Sequence, residues 1–334
     1  DSPRLPFIGE LLQFEAGQSL VMERILDLDE DLFLHDHLFV HAPEVKPPSE
    51  CLPVLPMTCS LELVAETGAL LAPGLGLIGF ENIRASRWIS LIRSQTLALH
   101  VEAEVHSLDE QTGVTRVTVE VSADGQVSFS GTALFADSYR TDLNFDIYDS
   151  NDDGPWPIDA QQLYDERYAF HGPRFQTVAR FNNFGNPYFS AELEVQPQHN
   201  LFNSTSAPLL LTDPCVNDGV GQILGLWCQM HGWYVLPTGI EKLELYCPRP
   251  EVGTIVPARY EVIEFDPEVR RFKVNIVVED GNGSAWMRVQ GWTDWLFRWS
   301  TSYVEWLKNP HKRHIADEIA LPDVPEGTVC AYVT

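Results

Sequence analysis

Basic residues are scarce in this chain: 22 Lys and Arg stand against 48 Asp and Glu in 334 residues, a formal charge of −26 at pH 7. Phosphate binding needs a basic footprint, so the charge argues against a nucleic-acid partner. Docking on an anionic membrane surface is disfavoured for the same reason. No run of about eighteen apolar residues occurs, so no membrane-spanning helix is expected. Asp1 to Phe7 lack the basic, then apolar, then small-residue order of a signal peptide. The cysteines (Cys51, Cys59, Cys215, Cys228, Cys247 and Cys330) include no Cys-x-x-Cys pair, which predicts reduced thiols in place of a disulfide or zinc framework. Hydrophobic residues at 44% and charged residues at 21% are nevertheless an ordinary globular balance. The expectation is an acidic, cytoplasmic globular protein.

What is present is mostly strand. Gln95–Val105 alternates with apolar Leu97, Leu99, Val101, Ala103 and Val105. Val114–Val121 and Val127–Ala136 continue in that way around the turn Ala123-Asp124-Gly125-Gln126. Further on, Ile240–Cys247, Val256–Glu264, Arg271–Glu279 and Ser284–Thr293 read as strands, with Asp280–Gly283 as a tight turn. Each half also holds one apolar helical pattern. Pro56 precedes Leu61, Val64, Ala65, Gly68 and Leu71, and Pro214 opens a segment carrying Val216, Val220, Ile223, Leu224 and Trp227. Such apolar helices are expected to be buried by a sheet. The reading is α+β, two similar modules over 1–148 and 159–310, with a polar linker at 149–158 and a tail at 311–334.

Three groups of residues could carry chemistry. His35, His37 and His41 cluster within seven residues; a metal site is one reading, but no second group of His, Asp and Glu with ligand spacing accompanies them. Asp218 and Gln222 lie a helical turn apart on one face, either as a surface acid near a helix start or as a carboxyl oriented by an amide in a dry pocket. The stretch Tyr164 to Gln176 contains His171-Gly172-Pro173, which alone marks only a turn into a strand.

Taken in order, these motifs resemble the dehydratase domains of polyketide and polyunsaturated fatty acid synthases. That family's His-x-x-x-Gly-x-x-x-x-Pro motif is matched by His37 and, after about ten extra residues, by Pro56; His41 stands where glycine is usual. Its Tyr-x-x-x-Gly-x-x-Tyr-Gly-Pro-x-Phe motif maps onto Tyr164 to Phe175, with Tyr168 in place of the first glycine and His171 in place of the second tyrosine. Its Asp-x-x-x-Gln motif is met by Asp218-Gly-Val-Gly-Gln222.

The resemblance implies a double hot-dog fold and removal of water from a 3-hydroxyacyl thioester carried on the phosphopantetheine arm of an acyl carrier protein. No metal or other cofactor is implied. Neighbouring synthase domains are the expected partners, and a homodimer is compatible. His37 would be the base and Asp218 the acid, which requires a carboxyl protonated near neutral pH; alternatively an ionised Asp218 would orient the hydroxyl while His37 shuttles the proton. Gln222 would position Asp218, and Pro56, Tyr164, His171, Gly172, Pro173 and Phe175 would form the substrate pocket. Backbone N–H groups at the start of the Pro56 helix would face the thioester carbonyl. Arg84, Arg87, Arg174 or the Lys308–Arg313 cluster would meet the phosphate. Double-bond isomerisation, cyclisation and a non-catalytic structural module are the alternatives on the same fold.

Overall fold

The architecture is a duplication that the sequence shows only as pattern. A computed structural model of the chain describes residues 5–40, 47–109, 112–141, 154–300 and 304. The first half contains β1 (Glu10–Glu15), β2 (Ser19–Asp27), α1 (Met57–Leu71), β3 (Gly76–Ala85), β4 (Thr96–Asp109), β5 (Val114–Ala123) and β6 (Gln126–Ala136). After the short α2 (Ala160–Asp165), the second contains β7 (Val178–Phe181), β8 (Tyr188–Glu194), α3 (Pro214–Met230), β9 (Tyr234–Leu245), β10 (Ile255–Asp266), β11 (Arg271–Glu279) and β12 (Ala285–Phe297). Strand order is β1-β2-β4-β5-β6-β3 followed by β9-β12-β11-β10-β8-β7, so the halves have equivalent topologies and meet edge to edge at β3 and β9. Each sheet curls round one long helix, the double hot-dog arrangement.

Local chemistry accounts for the elements. The β5–β6 hairpin closes through Asp124 and Gly125, both at positive φ (51° and 71°), as a primed turn requires. Pro56 caps α1 and Pro214 occupies its first-turn position in α3, where a missing N–H costs nothing; the Asp213 side chain accepts from Val216 N at 3.0 Å. All of α1 except Ala69 and Leu70 is buried. In α3, Trp227 stacks between Phe189 and Phe272, with centroids at 5.6 and 5.2 Å. At the seam, a Cβ on Gly239 would stand 2.5 Å from the Ile83 carbonyl oxygen, so β3 and β9 can approach only with glycine there.

The strands expected from alternation are present; β1, β2, β3, β7 and β8 come in addition to them, and β9 begins six residues earlier than its pattern. Bulges in β3, between Leu77/Gly79 and Glu81/Arg84, break its period, and Pro237 and Gly239 obscure the start of β9. Residues 149–153 of the expected linker, His41, the Lys308–Arg313 cluster and the tail at 311–334 with Cys330 lie outside the described residues, whereas Trp156 is buried and stacks on Phe181 at 4.7 Å. The remaining five cysteines form no disulfide among the described residues.

One buried polar device ties α1 to its surroundings. Glu62 accepts from Leu211 N at 2.6 Å and Thr212 N at 2.7 Å, just before α3, while Glu66 accepts from Phe7 N at 2.7 Å. Burial raises both carboxyls, Glu62 to about 7 and Glu66 well above the usual range, and Glu62's charge pushes Glu66 up further. The pair therefore keeps a proton that the unfolded chain releases above pH ~4.5, and stability falls as pH rises through that range. Glu66→Gln keeps an acceptor for Phe7 and supplies a permanent donor to Glu62. It is expected to raise the thermal midpoint by a few degrees at pH 8 and to leave it unchanged at pH 4, as calorimetry at the two pH values would measure.

Candidate active site

The two halves contribute one wall each to a cavity of about 220 Å³ at their junction. His37 follows a short 3-10 turn, Leu32–Asp36, and is held twice to the strand-like segment opposite: Val54 N–H donates to its carbonyl at 3.2 Å and its Nδ1 lies 2.7 Å from Val54 O. A carbonyl only accepts, so Nδ1 carries the proton and Nε2 is the free base. Phe170 and Phe175 enclose the ring, with centroids at 5.0 and 5.9 Å. Burial lowers the His37 pKa to about 4, against the opposing attraction of Asp218, so the imidazole is neutral at physiological pH.

Asp218, one turn into α3, faces it. Its Oδ2 accepts from His171 Nε2 at 3.0 Å and from Gln222 Nε2 at 2.8 Å. Gln222 is itself immobilised: its amide also donates to Phe175 O at 2.8 Å and its Oε1 accepts from Tyr164 O–H at 2.9 Å, while Tyr164 accepts from Val178 N at 3.1 Å. Burial alone would raise the Asp218 pKa, but the His171 charge and hydrogen bond, with His37 and Gln222, outweigh it and hold the carboxyl below its ordinary value. Of the two expected states of Asp218, this environment favours the ionised one, and the sequence carries no sign that His171, on a distant loop, donates to it.

That loop is fastened to the His37 turn. Gly172 N donates to Asp36 O at 2.8 Å, and Arg174 donates through its backbone N at 3.0 Å and Nη1 at 2.8 Å to Asp36 Oδ2. A Cβ on Gly172 would stand 2.3 Å from Asp36 Oδ1, so this clasp requires glycine. It brings His37 and His171, far apart in sequence, to a centroid separation of 5.2 Å.

Of the six residues expected to line the pocket, only His171 is on the cavity wall. Pro56, Tyr164, Gly172, Pro173 and Phe175 stand behind it, because the first caps α1 and the others shape the loop that carries His171 and the support of Gln222. Met57 and Thr58, in the first turn of α1, do reach the wall. Arg174 is engaged with Asp36 and with Asn200 O at 2.6 Å, whereas Arg87 lines the cavity beside the half-exposed Trp88. The expected histidine cluster divides: His35 Nε2 bonds Leu28 O at 2.7 Å, away from His37. The set His37, His171 and Asp218 does place one donor atom each within 4.8 Å of one another, a composition that could also hold a metal ion.

Two hot-dog halves that share one cleft, with a histidine from the first and an aspartate from the second, define the double hot-dog class. Residues 149–293 match the sequence profile described as polyketide synthase dehydratase N-terminal domain, although they form the second half of this chain. That match covers less than half of the chain, and the chain as a whole has the fold of solved polyketide synthase dehydratase domains. It is similar to a trans-AT polyketide synthase dehydratase domain from Brevibacillus brevis, with 18% identity, TM-score 0.64, and 89% of this chain and 100% of that one covered. The dehydratase domain of PpsC from Mycobacterium tuberculosis, solved in complex with C12:1-CoA, has 19% identity and TM-score 0.61 over 88% and 99% of the two chains. The dehydratase domain from the CurJ module of curacin polyketide synthase has 13% identity and TM-score 0.62 over 88% and 98%. No curated protein matches the sequence. Among the described residues, no helix is long and apolar enough to cross a membrane.

Proposed function

We propose that this chain dehydrates a carrier-bound 3-hydroxyacyl thioester to the 2-enoyl thioester, without a metal, with His37 moving the proton and an ionised Asp218 holding the hydroxyl. The observation that carries this reading is a neutral, correctly tautomerised imidazole facing a carboxylate in one apolar cleft. His37 Nε2 takes the proton from the α-carbon, the Cα=Cβ bond forms as the Cβ–O bond breaks, and the same proton passes from Nε2 to the departing oxygen, leaving water and a neutral imidazole. Asp218 accepts a hydrogen bond from the substrate hydroxyl and stabilises the transient imidazolium. The unpaired N–H groups of the first turn of α1 face the thioester carbonyl as its charge grows.

The wall is apolar and aromatic, which suits an acyl chain, and the PpsC domain of the same fold is solved with an acyl-CoA. Arg87 at the Trp88 side is the cation suited to the pantetheine phosphate, with tethering to the carrier supplying effective concentration despite the acidity of this chain.

The test is incubation with a racemic 3-hydroxyacyl-carrier protein, read by mass spectrometry of the pantetheine arm. Loss of one water is expected, undiminished by a chelator and inhibited by added Zn²⁺ competing for His37, His171 and Asp218. No loss of water, or a loss abolished by the chelator, would overturn the reading; an enoyl substrate whose double bond moves would mark an isomerase instead.

A further inference from the structure

The cavity contains a second carboxyl that the dehydration chemistry does not use. Asp294, on β12, is 2% exposed and lines the cavity. Its Oδ1 accepts from Trp292 Nε1 at 3.0 Å, but its Oδ2, wholly buried, has no hydrogen-bond partner among the described residues. Its cross-strand neighbours, Pro237 on β9 and Phe272 on β11, have no polar side chain to offer it. An unsatisfied polar atom of this kind is costly in an apolar wall unless something binds it.

Its position relative to the chemistry follows from α3. The cavity runs along the stripe Asp218, Gln222, Gly225 and Gln229, with Trp292 against Gly221, where a Cβ would meet the indole at 3.2 Å. Asp294 lies near the Cys228 end, where its charge helps to raise the buried thiol's pKa. From Asp218 to the level of Gly225–Cys228 is seven to ten helical residues, about 10–15 Å. On the wall, half-exposed Trp88 contacts Phe39 at 4.6 Å, Phe39 contacts Phe170 at 4.5 Å, and Phe170 contacts His37 at 5.0 Å, a path inward to His37. An acyl chain entering at Trp88 therefore passes the His37–Asp218 pair before it reaches Asp294.

We infer that Asp294 anchors a hydroxyl group on the distal part of the acyl chain, so that this site takes hydroxylated chains in preference to plain alkyl ones. The inference rests on the acyl-chain reading above. A hydroxyl suits the carboxyl in either state, donating to the carboxylate or accepting from the acid. Burial pushes the group up to about 7, so both states occur near neutral pH, and among the described residues no cation offsets that burial. With about 1.2 Å of reach per bond of extended chain, the hydroxyl falls about 8–12 bonds beyond the carbon held at Asp218.

The test measures binding by calorimetry, independently of turnover, for 3-hydroxypalmitoyl pantetheine against a series carrying one further hydroxyl moved between C9 and C15. The wild-type protein is expected to bind one member of the series about tenfold more tightly than the plain chain. Asp294→Leu should abolish that ratio, with Asp294→Ala as a second variant should the leucine fail to fold, while Asp294→Asn should retain part of it. Equal binding across the series, or a preference that survives both apolar variants, would overturn the inference. A preference without loss of water from any substrate would leave the anchor in place and remove the dehydratase reading; loss of water without a preference would do the reverse.

Discussion

His37→Ala is expected to slow water elimination by about 10³-fold, within the range that a positioned general base supplies. The loss should fall on kcat, because the ring contributes a proton acceptor more than binding area. Added imidazole should restore part of the activity by entering the vacated space between the stacked Phe170–His171 pair and Phe175. Unfolding would produce no such rescue. The wild-type rate should have an acid limb near pH 4, since His37 is neutral, and able to accept a proton, only above its lowered pKa. The same shift has a stability consequence of defined sign. Between pH 6.5 and about 4 the unfolded chain binds a proton at this residue that the folded chain does not. Folding stability therefore decreases as the pH is lowered across that window, by on the order of 3 kcal/mol, and the alanine variant should lack this part of the slope. A kcat within tenfold of wild type would remove His37 from the mechanism.

Asp218→Asn is expected to cost about 10²–10³-fold, since the amide retains the shape but not the charge that holds the hydroxyl and stabilises the imidazolium. Asp218 raises the His37 pKa, so its loss should move the acid limb to still lower pH. Were Asp218 instead a protonated acid, neutralising it would leave that limb in place. The direction of movement in a pH–rate profile thus separates an ionised aspartate from an acid, and a stationary limb would reject the ionised form. The introduced amide would also face the Gln222 Nε2 and His171 Nε2 donors, so part of the loss reflects a repositioned side chain.

Much of this protein is written in local pattern. The period-two runs of β4, β5, β6, β10, β11 and β12 follow from one buried and one wet face, and α1 and α3 begin at prolines for reasons of backbone chemistry alone. His37, Asp218 and Gln222 could be singled out because a motif preserves their order and spacing.

Tertiary structure decided the rest. β3 and the start of β9 carry bulges, proline and glycine because two sheet edges meet there, a requirement invisible to periodicity within either strand. The ionisation of Asp218 depends on His171, which reaches it only because Asp36 clasps Gly172 and Arg174 across 138 residues of sequence. Asp294 reads as an ordinary polar residue between two tryptophans until α3 packs against β12 and removes water from it. Composition and spacing determine which side chains are available and which backbone they favour. Charge state and access depend on what surrounds a group in space, and those neighbours come from distant parts of the chain.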